Sequence, residues 1–205
     1  YASRYISVEY HKNNREMANI YFNSVLFADA FMGSVVVALS VAFASVINFV
    51  LGVPDKILTD VRILFVCVFL NLAISLLSTA FQSSAIIKDK LRESSFFKLL
   101  SYLTEALTLI LLFNVLSPRL YFVGIGMIFA TLVILASSCC ITRKYTPAIQ
   151  INIKYFRLEV VKKLVVQGIW NSLNSLGNML NSGLDLVVTN AMLGSVAMGQ
   201  VSIVK

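Results

Sequence analysis

Six polar residues recur through the last third of the sequence at intervals of four, three, four, three and four positions. They are Gln167, Asn171, Asn174, Asn178, Asn181 and Asp185. This spacing places all six on one face of an α-helix about five turns long. An amide that faces hydrocarbon loses its hydrogen bonds to water, at a cost of several kcal/mol. We therefore expect this set, the amide stripe, to face water or other polar groups.

Two interpretations fit the amide stripe. Asn and Gln can hydrogen-bond between membrane helices, where each bond contributes about 0.6–2 kcal/mol. An unbroken stripe of this length favours instead the lining of a water-filled cavity. A second set shares a helical face earlier in the chain and is predicted to line the same cavity; its members are Asn71, Ser75, Ser78 and Gln82. Asn23, Ser34, Ser45 and Asn48 nearly share a face as well.

Three acidic residues, Asp29, Glu105 and Asp185, fall in or near apolar segments. The uncharged run 106–118 supplies only about 20 Å of helix, too little to cross a bilayer, so Glu105 is expected inside the membrane. Intramembrane acids usually mark a proton, ion or substrate path. All three are therefore candidate sites for a coupling proton or sodium ion. The alternative for Glu105 is a neutral carboxyl hydrogen-bonded to a neighbouring helix, and Asp29 is equally compatible with an interfacial position.

The composition explains why the surroundings of these residues are apolar. Hydrophobic residues make up 58% of the 205 positions and charged residues 13%, whereas soluble domains carry about 25% charge. This excludes secreted, cytosolic and nucleic-acid-binding proteins. The predicted fold class is all-α, a polytopic transmembrane helix bundle. Paired aspartates, Cys/His metal motifs and Ser/Lys pairs are missing from the sequence, so we expect no catalytic residue, metal or cofactor, and no enzyme.

Five runs reach the length that a spanning helix needs. They are about 20–53, 63–87, 99–117, 120–142 and 164–193. The longest connection, 143–163, is basic and is the predicted domain boundary between residues 1–142 and 164–205. The chain lacks an initial methionine and stops in an apolar stretch, so we expect it to be a piece of a longer protein.

The basic residues predict the orientation of the spans. Thirteen Lys and Arg fall before the first span, between the second and third, and in the 143–163 linker, against three in the other two loops. Cytoplasmic loops hold such an excess, so the start of the chain is predicted to be cytoplasmic. From Phe156, the spacing to Val160 and Leu164 fits an amphipathic helix on the inner leaflet. A plain lead-in to the fifth span fits equally well.

A family resemblance appears from Lys144 to Gly199. It rests on the segments Arg143–Pro147, Gly168–Trp170, Leu176–Leu180, Leu184–Asp185, Leu193–Gly194 and Gly199. The pattern resembles the polysaccharide-repeat-unit flippases, the O-antigen and capsule transporters of the multidrug/oligosaccharidyl-lipid/polysaccharide exporter superfamily. The resemblance implies two six-helix lobes joined by the 143–163 linker, with helices three to seven of the transporter visible here.

The resemblance also implies a multi-pass protein of the bacterial inner membrane that acts in lipopolysaccharide or capsule biosynthesis. Such a protein flips an undecaprenyl-diphosphate-linked oligosaccharide to the outer leaflet by alternating access. Amide side chains suit sugar hydroxyls because they both donate and accept hydrogen bonds. Family members place arginines in the cavity, yet the spans here contain no Lys or Arg, so cations would come from Lys88, Lys90 and Arg92 or from helices outside this chain. The alternatives are a cation-coupled multidrug exporter of the same superfamily and a non-transporting membrane scaffold.

Overall fold

The computed structural model describes residues 2–51 and 55–193, and it describes only the backbone of 48–51, 55, 56, 179, 181–191 and 193. Every regular element in these ranges is helical, which confirms the all-α fold class. The elements are α1 (Ala2–His11), α2 (Arg15–Leu51), α3 (Asp55–Ile87), α4 (Leu91–Val115), α5 (Tyr121–Tyr145), a 3-10 turn (Ile153–Tyr155) and α6 (Leu158–Leu193).

Four of the described helices are long and apolar enough to cross a membrane. The four segments are Arg15–Ile47, Ile57–Ile87, Leu91–Val115 and Tyr121–Tyr145. They correspond to α2, α3, α4 and α5, and thus to the first four predicted spans. The fifth predicted span falls in α6, and its passage through a membrane stays a prediction.

The helices run past the predicted spans at their polar ends. Helix α4 begins at Leu91 rather than at 99, and it includes Arg92 and Lys98. Hydropathy detects only the part of a helix that must lie in hydrocarbon, whereas backbone hydrogen bonding continues into the interface. The long side chains of Arg and Lys can reach water from such positions.

Helices α3 and α5 form the most extensive contact, with α2 packed against α3 and α4 against α5. Helices α3 and α4 touch only slightly, so the spatial order is α2, α3, α5, α4. Small residues allow the close approaches. A Cβ built on Gly124 of α5 would lie 2.5 Å from the Cβ of Cys67 on α3. Between α2 and α3, a Cβ on Gly33 would lie 3.1 Å from that of Ala73.

Helix α1 is an amphipathic element of the polar segment before the first span. Its Ile6 side chain is fully buried, and α1 packs against both α2 and α3. The turns after α1 and α3 contain Asn13 at φ 57° and Asp89 at φ 51°. Asn and Asp tolerate this left-handed conformation better than most residues, so both turns suit their sequence.

The three basic segments lie at the same end of the bundle. The Lys88 ammonium is 5.1 Å from the centroid of the Tyr10 ring, which joins the α3–α4 turn to α1. The Lys90 ammonium is 5.0 Å from the centroid of the Tyr145 ring, which joins the same turn to the end of α5. The structure thus groups the basic segments as the orientation rule requires. The assignment of this end to the cytoplasm stays a prediction.

The opposite end carries the less basic loops. Arg119 Nη1, just before α5, lies 3.3 Å from Asp60 Oδ1 on α3. Arg62 Nη2 donates to the Ser45 carbonyl oxygen of α2 at 3.3 Å. These contacts tie α2, α3 and α5 together away from the basic end.

The chain divides into two compact units at the step from Val161 to Lys162. The first unit holds α1 to α5 and the linker, and the second holds most of α6. The division falls inside α6, within the predicted linker of 143–163.

Candidate functional site

The amide stripe lies on an uninterrupted helix. Helix α6 runs from Leu158 to Leu193, so its backbone places all six members on one face. Gln167 is half-buried, and Asn171, Asn174 and Asn178 are exposed. The side chains of Asn181 and Asp185 lie outside the described part of the chain. The lining of a cavity by this face stays a prediction.

The second polar set, on α3, has partners inside the bundle. The Thr131 hydroxyl of α5 donates to Asn71 Oδ1, which links the two most closely packed helices. Gln82 Nε2 donates to Ser78 Oγ at 3.2 Å, and Ser78 Oγ donates to the Ser75 carbonyl oxygen at 2.8 Å. Ser78 is buried and Ser75 exposed. The amide of Asn71 thus joins helices, whereas cavity lining by this set remains a prediction.

Two of the acidic candidates lie on different helices, Asp29 on α2 and Glu105 on α4, which are the first and last helices in the packing order α2, α3, α5, α4. The Thr79 hydroxyl of α3 donates to Asp29 Oδ2 of α2 at 2.8 Å. Glu105 is half-buried on α4, and its Cγ lies 3.6 Å from a Cβ built on Gly126 of α5. Within the described residues Glu105 forms no hydrogen bond or ion pair, and its neutral, hydrogen-bonded alternative stays a prediction. The structure does not bring Asp29 and Glu105 together.

The described residues also offer no cluster of three or more His, Cys, Asp or Glu side chains that could hold a metal ion. Of the predicted cationic residues, Lys88 contacts Tyr10 and Lys90 contacts Tyr145, while Arg92 is exposed. Lys90 Nζ also lies 3.8 Å from Glu93 Oε1. These contacts hold two of the three cations at the basic end of the bundle.

The most elaborate polar contact holds the linker to α2. Asn19 Nδ2 donates to the Ala148 carbonyl oxygen at 3.0 Å, and Asn19 Oδ1 accepts from Gln150 N at 2.7 Å. One helical turn later, Asn23 Nδ2 donates to the Gln150 carbonyl oxygen at 2.7 Å, and Asn23 Oδ1 accepts from Asn152 N at 2.8 Å. The two amides thus pair with the extended backbone as a neighbouring strand would. We call this pair the asparagine ladder.

Further contacts extend this docking to both ends of the linker. Thr146 Oγ1 donates to Ser84 Oγ of α3 at 3.0 Å, and Ser24 Oγ accepts from Arg157 N at 3.0 Å. The Phe156 ring meets the Phe27 ring of α2 edge to face, with centroids 6.3 Å apart. The linker therefore lies on α2 and α3 from Thr146 to Arg157, directly before α6 begins.

The sequence indicated these residues only in part. The sequence pattern predicts Asn23 on a polar face of the first span, but the side chain is fully buried and binds the linker backbone. Ser34 and Ser45 bond to their own helix, at Ala30 O and Ala42 O, and the side chain of Asn48 lies outside the described residues. The spacing of four between Asn19 and Asn23 was a signal for a shared face, but it could not name a backbone partner.

The predicted interfacial helix begins later than its pattern suggested. Phe156 precedes α6, which starts at Leu158, because Phe156 packs on Phe27 in an extended conformation. Val160 and Leu164 do lie on α6. The prediction that this helix starts at Phe156 is therefore wrong.

The four long apolar helices define a multi-pass helical membrane protein. The chain is similar to the uncharacterized membrane protein EpsK of Bacillus subtilis (strain 168), with 25% identity over 197 residues. The match covers 96% of this chain and 39% of the relative, so the chain spans about two fifths of the length of the curated relative it matches. No protein-family model matches the chain, and no solved structure matches it significantly.

Proposed function

We propose that this chain is part of a transporter that moves a lipid-linked oligosaccharide, the repeat unit of a polysaccharide, from the cytoplasmic to the outer leaflet of the bacterial cell membrane. The observation that carries the proposal is the amide stripe on the unbroken helix α6, in a chain whose described residues form four helices long and apolar enough to cross a membrane. Similarity to a bacterial membrane protein supports the location in a bacterial membrane. Alternating access moves the substrate without a catalytic step.

The chemistry of the stripe suits a sugar. Each amide donates through nitrogen and accepts through oxygen, so it can pair with a hydroxyl group in either direction. Asn171 and Asn174 are exposed and one turn apart, which allows both to contact one oligosaccharide. Apolar side chains cover the opposite face of α6, including Ile169, Leu173 and Leu176. This division supports a model in which one face of α6 contacts water and the opposite face contacts apolar groups.

Replacing both Asn171 and Asn174 by Ala is expected to lower the rate of flipping about tenfold, because two hydrogen bonds of about 0.5–1.5 kcal/mol are lost. The protein is reconstituted into vesicles with a fluorescent lipid-linked oligosaccharide, and a glycosidase added outside reports the flipped fraction. Leu173→Ala, on the opposite face, is the matched control and should retain the parent rate. Vesicles that take up organic cations but flip no oligosaccharide would favour the multidrug exporter, and vesicles that move neither would favour the scaffold.

Glu105 is proposed to bind the coupling proton or sodium ion, since it lies in a spanning helix without a partner among the described residues. Glu105→Gln is expected to abolish the dependence of flipping on the ion gradient, because an amide neither binds a proton nor carries charge. The measurement is the flipping rate with and without an imposed proton or sodium gradient. Glu16→Gln, at the start of α2, is the control. Unchanged gradient dependence in Glu105→Gln would remove Glu105 from this role.

A further inference from the structure

A pocket of about 320 Å³ lies where the docked linker meets α2, α3 and α5. Phe22 and Phe81 form its inner wall, with ring centroids 5.5 Å apart, and Ile149 and Ile151 of the linker form its outer wall. Arg143, near the end of α5, also lines it. The pocket is therefore mainly apolar, with one basic residue, Arg143, in its lining.

Arg143 has no acidic partner among the residues that the structure describes. The side chain is exposed, and it forms no salt bridge with any described residue. The segment 143–158 contains four basic residues, Arg143, Lys144, Lys154 and Arg157, and no acidic one. A guanidinium group presents a planar fork of donors that matches the oxygens of a phosphate. The site therefore favours an anion, and its apolar walls favour one attached to an apolar chain.

The linker around the pocket has the character of a membrane-surface segment. Ile151 is 59% exposed and Ile153 is 71% exposed; Ile151 lies within the backbone that the asparagine ladder holds, and Ile153 follows it directly. Exposed apolar side chains among basic residues are typical of segments at the boundary between headgroups and acyl chains. The linker also directly follows α5, one of the spanning helices. Its position at the end of a span puts the pocket within reach of lipid headgroups.

We propose that this pocket binds the headgroup end of an anionic phospholipid. Arg143 donates hydrogen bonds to the phosphate oxygens, and the first methylene groups of an acyl chain lie against Phe81, Ile149 and Ile151. The docked linker forms one wall, so the bound lipid reinforces the contact of the linker with α2. This site is independent of the amide stripe and of the substrate proposed for it.

The test measures the binding of short-chain phosphatidylglycerol to the full chain in detergent, by native mass spectrometry, against phosphatidylcholine with the same acyl chains. We expect phosphatidylglycerol to bind more tightly and Arg143→Gln to lower its affinity about tenfold, as for the loss of a charge-assisted hydrogen bond. Lys144→Gln is the matched control. The Lys144 ammonium lies 4.9 Å from the centroid of the Tyr145 ring, and Lys144 does not line the pocket, so its replacement should leave the affinity unchanged.

Three results would overturn the proposal. Equal binding of phosphatidylcholine and phosphatidylglycerol would remove the role of charge. An equal loss of affinity in Lys144→Gln and Arg143→Gln would indicate a diffuse basic surface. Displacement of the lipid by inorganic phosphate at the same concentration would indicate a site for free anions, without a contribution from the apolar walls.

Discussion

Gly124→Ala is expected to destabilise the helix bundle by about 1–3 kcal/mol or more, through overpacking between α3 and α5. The added methyl group would lie 2.5 Å from the Cβ of Cys67 and 3.3 Å from a δ-carbon of Leu64. Because Cβ is fixed to the backbone, rotation of a side chain cannot relieve the first contact, and the two helices must move apart. The midpoint of thermal unfolding in detergent measures the effect.

The control for this prediction is Gly168→Ala. A Cβ at Gly168 on α6 would meet nothing within 4 Å, and Ala favours a helix over Gly by about 1 kcal/mol, so this variant should be neutral or more stable. A second replacement, Cys67→Gly, removes the opposing Cβ and should restore part of the stability lost in Gly124→Ala. Equal unfolding midpoints for Gly124→Ala and Gly168→Ala would show that the two helices are not in the close contact described.

Asn23→Ala is expected to release the linker from α2. The change leaves the Gln150 carbonyl oxygen and the Asn152 N–H without the partner they have in the asparagine ladder. Each of the two hydrogen bonds lost contributes about 0.5–1.5 kcal/mol, and Asn23, which makes both, is fully buried. Limited trypsin digestion measures the release at Lys154, and we expect cleavage about tenfold faster or more.

Asn114→Ala is the matched control for the ladder. Its amide is exposed and bonds only within its own helix, to the Ile110 carbonyl oxygen at 2.7 Å, so its removal should not change cleavage of the linker. If trypsin cleaved Asn23→Ala and Asn114→Ala at the same rate, the linker would not depend on the ladder. Asn19→Ala removes the other amide of the asparagine ladder. It should also speed cleavage of the linker, since Asn19 bonds to Ala148 and Gln150 in the same way.

Docking of the linker bears on the proposed transport. A segment that joins two lobes can move with one of them only if it is fixed to that lobe. The ladder, Ser24 and Thr146 fix 146–157 to α2 and α3. If the proposed alternating access operates, we therefore expect residues 146–157 to move together with α2 and α3.

Local properties of the sequence determined the class of the protein and the faces of its helices. The lengths of the apolar runs predicted four long apolar helices that the described residues contain, each long enough to cross a membrane. Length is informative because the hydrocarbon thickness sets it and the bilayer requires every backbone group to be bonded internally. The spacing of the amide stripe likewise determined a face of α6, since helical periodicity depends only on neighbouring residues.

Only the tertiary structure decided which surfaces meet. It placed α5 between α3 and α4, paired Asn23 with backbone 127 positions later, and set Arg143 beside an apolar pocket. Spacing along a helix reveals that polar residues share a face, but it carries no information about a partner far away in the chain. The partner here is a backbone whose carbonyl and N–H groups are the same in every residue, so the pairing arises only when α2 and the linker pack together.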